Sequence, residues 1–211
     1  MFRVKICGVT IPSDAAWAAE AGADAVGINF FPGSRRYVPP EAAAPIVDAA
    51  RGRATPVGVF VDEDPEVIVA VCRRLRIEVV QLSGDESPDA AARLPFARIK
   101  AVRQGEGAAE AYRDYPCEAF LLDAAAPGEY GGTGRTIDWT AAAAVGPSLG
   151  KPWMLAGGLT PENVMGAIRR ARPFGVDVAS GVERHPGRKD PEKVALFVRN
   201  AKEGLGNEPV R

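Results

Sequence analysis

Histidine and cysteine are scarce in this chain. Its 211 residues include one histidine, His185, and three cysteines, Cys7, Cys72 and Cys117. A single histidine excludes three-histidine metal sites and the HExxH protease signature, and leaves only His185 for any Ser/His/Asp triad. That residue sits in Glu183-Arg184-His185-Pro186-Gly187, a turn-like run that reads as a solvent-exposed loop. An odd number of cysteines with no CxxC pair suggests neither a disulfide framework nor a zinc knuckle, and fits a reducing compartment. Net charge is also nearly absent: 26 Lys+Arg face 27 Asp+Glu, a formal balance of -1. No overall field then favours nucleic acid or an anionic membrane, and any anion must be bound locally. The longest uncharged stretch is the 12 residues Trp139–Gly150, short of the roughly 20 that a spanning helix needs. The start, MFRVKICG, offers no apolar leader. A cytoplasmic protein without membrane or nucleic-acid partners is expected.

What is present is alternation. Short β-branched or apolar runs alternate with Ala-rich amphipathic stretches, the signature of βα units and a parallel sheet. Strands are predicted near Arg3–Cys7, Ala25–Phe30, Pro56–Val61, Val79–Leu82, Arg98–Val102, Ala119–Asp123, Pro152–Ala156 and Val176–Ala179. Helices are predicted at Ser13–Ala21, Pro40–Ala50, Pro65–Leu75, Ser87–Leu94, Gly107–Tyr115, Asp138–Val145, Pro161–Ala171 and Pro191–Glu203. Two helix starts, Thr160-Pro161-Glu162 and Asp190-Pro191-Glu192, combine a capping oxygen, a proline that lacks a surplus amide, and an acid on the positive end of the dipole.

Eight βα units of typical strand, helix and loop length need roughly 170 to 240 residues. The fold class is therefore α/β, a single-domain (βα)8 barrel over residues 1–204, with 205–211 as a frayed polar tail. An open doubly wound sheet is the alternative. Against it, the turn Gly8-Val9-Thr10-Ile11-Pro12 lacks GxGxxG, and Gly150-Lys151 runs into proline and cannot complete a Walker motif. No cofactor and no metal are expected.

In such a barrel the active site lies at the C-terminal ends of the strands. Those ends present Cys7, Asp123 and Asp177. Strand alternation puts Lys5 and Cys7 on one face, where a nearby ammonium would lower the thiol pKa and make Cys7 a usable base. The competing reading is a buried, inert thiol, which is also how Cys72 and Cys117 read. Asp123 closes the apolar run Ala119-Phe120-Leu121-Leu122, where desolvation would raise its pKa and keep it protonated as an acid. It could equally cap a loop or pair with a cation such as Lys5. Glycine-rich turns at Ala156-Gly157-Gly158-Leu159 and Ala179-Ser180-Gly181-Val182 follow the last two strands, where barrels frequently hold phosphate on backbone amides. Tyr130-Gly131-Gly132-Thr133-Gly134 could form a loop over the ligand. The loop Phe31-Pro32-Gly33-Ser34-Arg35-Arg36-Tyr37 sets two guanidinium groups beside aromatic rings, suited to an anionic aromatic ligand or simply solvated.

These residues together resemble the phosphoribosylanthranilate isomerase family. The resemblance rests on Lys5-Ile6-Cys7-Gly8-Val9-Thr10, Ala23-Asp24-Ala25-Val26-Gly27, Ser34-Arg35-Arg36-Tyr37-Val38, Gly131-Gly132-Thr133-Gly134 with Asp138-Trp139, Ala156-Gly157-Gly158-Leu159, and Asp177 through Glu183, in that order. It implies a cofactor-free Amadori rearrangement of N-(5-phosphoribosyl)anthranilate in tryptophan biosynthesis. Cys7 would be the general base and Asp123 the general acid. Arg36 would hold the anthranilate carboxylate, Asp177 the sugar, and amides at Gly157, Gly158, Ser180 and Gly181 the phosphate. One departure stands out: the family often has Gln-Leu-His-Gly where this chain reads Gln81-Leu82-Ser83-Gly84. The partner expected is the small phosphosugar-anthranilate substrate, with monomer and homodimer both open. The rival readings are a catalytically silent phosphosugar-binding barrel and a dual-substrate aminoaldose isomerase.

Overall fold

The computed structural model describes residues 1–103, 112–123 and 138–206. Eight parallel strands close on themselves: β1 (Val4–Ile6), β2 (Ala25–Asn29), β3 (Thr55–Phe60), β4 (Val79–Leu82), β5 (Ala97–Arg103), β6 (Ala119–Asp123), β7 (Trp153–Leu155) and β8 (Gly175–Val178). Closure is made by β1 against β8, with Lys5 opposite Asp177 and Ile6 opposite Val178. Around the barrel lie α1 (Pro12–Glu20), α2 (Ala44–Ala50), α3 (Pro65–Leu75), α4 (Pro88–Ala92), α5 (Trp139–Ser148), α6 (Val164–Ala171) and α7 (Pro191–Leu205). The predicted helix Gly107–Tyr115 falls largely outside the described residues, as do the glycine cluster 131–134 and positions 207–211.

Side-chain parity along each strand decides what faces the ligand. Val4, Ile6, Val26, Ile28, Val80, Leu82, Phe120, Leu122, Val176 and Val178 point outward into the main core between sheet and helices. The opposite parity forms a small interior cluster of Ile99, Leu121 and Ala156, packed with Phe2, Val79 and Ala101. That same inward parity carries Lys5, Cys7, Gln81, Asp123 and Asp177 toward the top of the barrel.

Four expectations about helices need correction. The stretch Pro40–Ala50 is not one helix but a 3-10 turn, Pro40–Ala42, followed by α2; Pro45 lacks the amide that would continue the ladder. The helix after β7 starts at Val164 rather than Pro161, and Thr160 does not cap it. Instead Asn163 bridges the turn, its Oδ1 accepting from the Thr160 amide at 2.8 Å and its Nδ2 donating to the Gly158 carbonyl at 2.9 Å. The last helix reaches Leu205, so the first residue assigned to the frayed tail is helical. Asp190 does cap α7, accepting from the Glu192 and Lys193 amides. Asp138 likewise caps α5 rather than belonging to it. An antiparallel hairpin, β9 (Glu183–His185) and β10 (Arg188–Lys189), occupies the run read as a loop. His185 is exposed there, as expected.

Candidate active site

The C-terminal mouth of the barrel holds a cavity, open to solvent, whose lining includes Cys7, Arg36, Gln81, Ser83, Asp123 and Asp177. Cys7 enters it because β1 ends there, its amide bonded to the Val178 carbonyl of β8 at 2.8 Å. Gly27 on β2 leaves the room. A Cβ at that position would sit 2.7 Å from the Cys7 sulfur and 3.3 Å from Lys5 Cε, so both side chains use the space above one glycine.

Lys5 is fully buried, and its ammonium donates to Asp177 Oδ1 at 2.7 Å. Burial pushes the Lys5 ammonium down, but Asp177 and then Cys7 more than reverse this, and the group titrates above the ordinary lysine range. Lys5 is thus engaged by Asp177, not by Asp123 as one sequence reading had it. The expectation for Cys7 also reverses. Burial pushes its thiol above the ordinary cysteine range, and Asp177 adds to the rise, while Lys5 and Lys189 pull the other way without prevailing. Lys5 offsets part of the desolvation of the thiolate, but with the Asp177 carboxylate beside it the balance stays with the thiol. Cys7 is therefore a thiol at rest. Cys72 and Cys117 are buried as well; burial alone lifts Cys72 to about 12, and burial raises Cys117 against the opposing charge of Lys151.

Asp123 is half-buried at the end of β6 and lines the same cavity. Of the two loop arginines only Arg36 turns inward; Arg35 is exposed. Arg36 grips Glu183 with a two-pronged ion pair, Nε to Oε1 at 2.7 Å and Nη2 to Oε2 at 2.8 Å. Glu183 also accepts from the buried Lys189 Nζ at 3.0 Å, while the Lys189 amide donates to Asp14 Oδ2 at 2.9 Å. The hairpin after β8 thereby anchors the loop after β2. Gly8 completes this clasp: its φ of +70° is left-handed, and a Cβ there would lie 2.3 Å from Arg36 Cδ.

Glu183 has a testable acid signature. Burial pushes its carboxyl up, but the Arg36 hydrogen bond and the Lys189 and Arg36 charges outweigh this and hold it below the ordinary range. A depressed folded-state pKa contributes stability above the unfolded value of about 4.3 and loses it as pH falls through the folded value. The melting temperature of the wild type is expected to fall below about pH 4.3 more steeply than that of Glu183→Gln. Parallel curves for the two proteins between pH 3 and 6 would refute the contribution.

The two glycine turns come together. Gly157 and Gly158 have φ of +86° and +64°, conformations glycine enters freely. Gly181 packs so closely on the turn after β7 that a Cβ would sit 1.8 Å from the Leu159 carbonyl oxygen. Ser180–Val182 forms a single 3-10 turn at this junction. Gln81 and Ser83 on the β4 side are bonded to each other, Gln81 Nε2 donating to Ser83 Oγ at 3.0 Å.

Sequence reading missed the roles of Lys189, Glu183 and Asp14, and the Lys5–Asp177 pair. Glu183 lies 147 positions from Arg36 and Asp177 lies 172 from Lys5. Only the parity of Lys5 and Asp177 on strands that meet at barrel closure could have pointed to the second.

Comparison with known proteins places this geometry. The model of the family N-(5'phosphoribosyl)anthranilate (PRA) isomerase matches residues 4–200. The N-(5'-phosphoribosyl)anthranilate isomerase of Trichlorobacter lovleyi is 47% identical over 206 residues, covering 97% of this chain and 100% of that protein. The crystal structure of phosphoribosyl anthranilate isomerase from Thermotoga maritima superposes with a TM-score of 0.86 at 41% identity, covering 96% of this chain and 100% of the other. A structure of such an isomerase with reduced 1-(o-carboxyphenylamino)-1-deoxyribulose 5-phosphate superposes with a TM-score of 0.83 at 40% identity, covering 96% and 100%. A match this long, on a barrel whose first strand ends in Lys5-Ile6-Cys7-Gly8, shows that the chain belongs to the N-(5'-phosphoribosyl)anthranilate isomerase family.

Proposed function

We propose that Cys7 and Asp123 are the base and the acid with which this chain carries out the family's reaction. That reaction isomerises N-(5'-phosphoribosyl)anthranilate to 1-(2-carboxyphenylamino)-1-deoxyribulose 5-phosphate in tryptophan biosynthesis. The observation that carries the assignment is the convergence of Cys7, Arg36, Asp123 and Asp177 on one cavity at the strand ends.

Asp123 protonates the furanose ring oxygen, the C1′–O bond breaks, and the nitrogen lone pair forms the Schiff base. Cys7 takes the C2′ proton and the electrons of that bond give the enolamine. Proton return to C1′, with loss of the C2′ hydroxyl proton, yields the ketone. No electron or atom is gained overall, so acid and base suffice.

Binding is divided between the ends of the ligand. Glu183 occupies Nε and one Nη2 hydrogen of Arg36; a guanidinium has five N–H donors, so its Nη1/Nη2 edge remains for a bidentate anthranilate carboxylate. Backbone amides at Gly157, Gly158, Ser180 and Gly181 receive the phosphate, a reading supported by the close seating of the two turns. Asp177, oriented by Lys5, receives the sugar.

The test is turnover of phosphoribosylanthranilate generated in place from anthranilate and phosphoribosyl pyrophosphate, with indole-glycerol-phosphate synthase as the coupling enzyme. Product formation is expected. A folded protein that binds the reduced product analogue without turnover would instead be a silent phosphosugar-binding barrel.

A further inference from the structure

Gln81 carries a polar atom of the cavity wall that has no hydrogen-bond partner among the described residues. The residue is only 5% exposed, and that atom, Oε1, is buried. Its parity on β4 is that of Val79, which packs in the barrel interior, and both Gln81 and Ser83 line the cavity. Nε2 donates to Ser83 Oγ at 3.0 Å, which leaves Oε1 as the end of the amide without a partner. A buried carbonyl oxygen left unpaired costs free energy unless something else supplies the donor.

We propose that Gln81 is a substrate-binding residue whose Oε1 accepts a hydrogen bond from a neutral N–H or O–H donor of the ligand, with Ser83 as its positioning residue. This rests on the isomerase reading of the cavity. The choice of donor follows from ligand chemistry. The carboxylate and phosphate ends only accept, and are read here as held by Arg36 and the glycine turns. The donors lie between them: the anilino N–H and the sugar hydroxyls. The cavity lining holds the donor side chains Asn29, Ser34, Arg36 and Arg103 besides apolar Val59, Val61, Ala101 and Leu121, and none of them donates to Gln81 Oε1. The Ser83 hydroxyl occupies the place of the histidine often seen in the family motif, so in this chain it is a serine that sets the amide.

The experiment compares wild type, Gln81→Met and Ser83→Ala in three measurements: thermal melting, affinity for reduced 1-(o-carboxyphenylamino)-1-deoxyribulose 5-phosphate, and affinity for ribulose 5-phosphate. Methionine keeps the volume and removes the orphan acceptor. Its melting temperature is therefore expected to hold or rise while analogue affinity falls about 5- to 30-fold, the loss of one buried hydrogen bond. A loss confined to the reduced analogue assigns the bond to a donor that ribulose 5-phosphate lacks, the anilino N–H or the C2′ hydroxyl; a loss for both ligands assigns it to a hydroxyl that the two share. Unchanged affinity for both overturns the proposal, whatever the melting temperature does. Should Gln81→Met also lose stability, Ser83→Ala decides: a fall in affinity at constant melting temperature supports the proposal, and none overturns it. Wild-type turnover in the same preparation separates the two readings, since its absence would discredit the isomerase assignment and its presence leaves Gln81 alone under test.

Discussion

Replacing Cys7 with alanine is expected to lower kcat by about 10²- to 10⁴-fold while the reduced product analogue still binds with little loss. Asp123→Ala should do the same by a different route. In the proposed roles the sulfur and the carboxyl act on protons and the charged ends of the ligand are held elsewhere, so rate and affinity should separate. The two variants can also be told apart from each other. Without Cys7 the slow step is removal of the C2′ proton, and substrate deuterated at C2′ should react more slowly. Without Asp123 the slow step is ring opening, in which the C2′–H bond stays intact, and the isotope effect should shrink. Rate and analogue affinity falling together in both variants would move these residues from chemistry to binding. An isotope effect of the same size in both would undo the division into acid and base.

The largest stability effect is expected at Lys5. The ammonium is fully buried and its bond to Asp177 is 2.7 Å long. Lys5→Met strands the Asp177 carboxylate in a site only slightly open to water, and breaking a buried pair in this way costs about 3–5 kcal/mol. For a chain of this size that is a fall in melting temperature of roughly 6–20 °C. Removing both charges, as in Lys5→Met with Asp177→Leu, should recover much of the loss, because no uncompensated charge remains. The same substitution bears on chemistry. Lys5 is the principal influence holding the Cys7 thiol down against burial. Its removal should lower kcat/KM at neutral pH by shrinking the thiolate fraction. A single variant that melts like wild type, or a double variant less stable than the single, would refute the account.

The barrel itself was readable because local chemistry and global architecture agree. The β4 and β6 boundaries follow directly from Val79-Val80-Gln81-Leu82 and Ala119 through Asp123, and α3 from a proline after the capping Asp64. Where the reading slipped, the cause was specific. Pro45 breaks a helix that composition alone would continue. Asn163, not Thr160, organises the turn into α6, using hydrogen bonds that bypass the usual cap. At the site, Cys7, Arg36, Asp123 and Asp177 were legible from their positions at strand ends and from the motif. Their electrostatics were not. The sign of the Cys7 shift depends on burial and on Asp177, which reaches it only once β8 closes on β1. Likewise, nothing local to Arg36 announces that Glu183 will hold it.

Loops on this type of barrel are commonly regarded as separable, each strand contributing one interchangeable tip to the active face. The clasp around Arg36 limits that freedom. The guanidinium of the second loop lies over Gly8 of the first and is locked by Glu183 of the eighth, which is shared with Lys189. These three tips behave as one graft. A chimera that transplants the β1 tip with any residue larger than glycine at position 8, or the β2 tip without the hairpin after β8, would displace Arg36 along with whatever it was meant to alter. Redesign of ligand preference therefore has its independent handle on the β4 side, at Gln81 and Ser83, whose mutual hydrogen bond stays within a single tip.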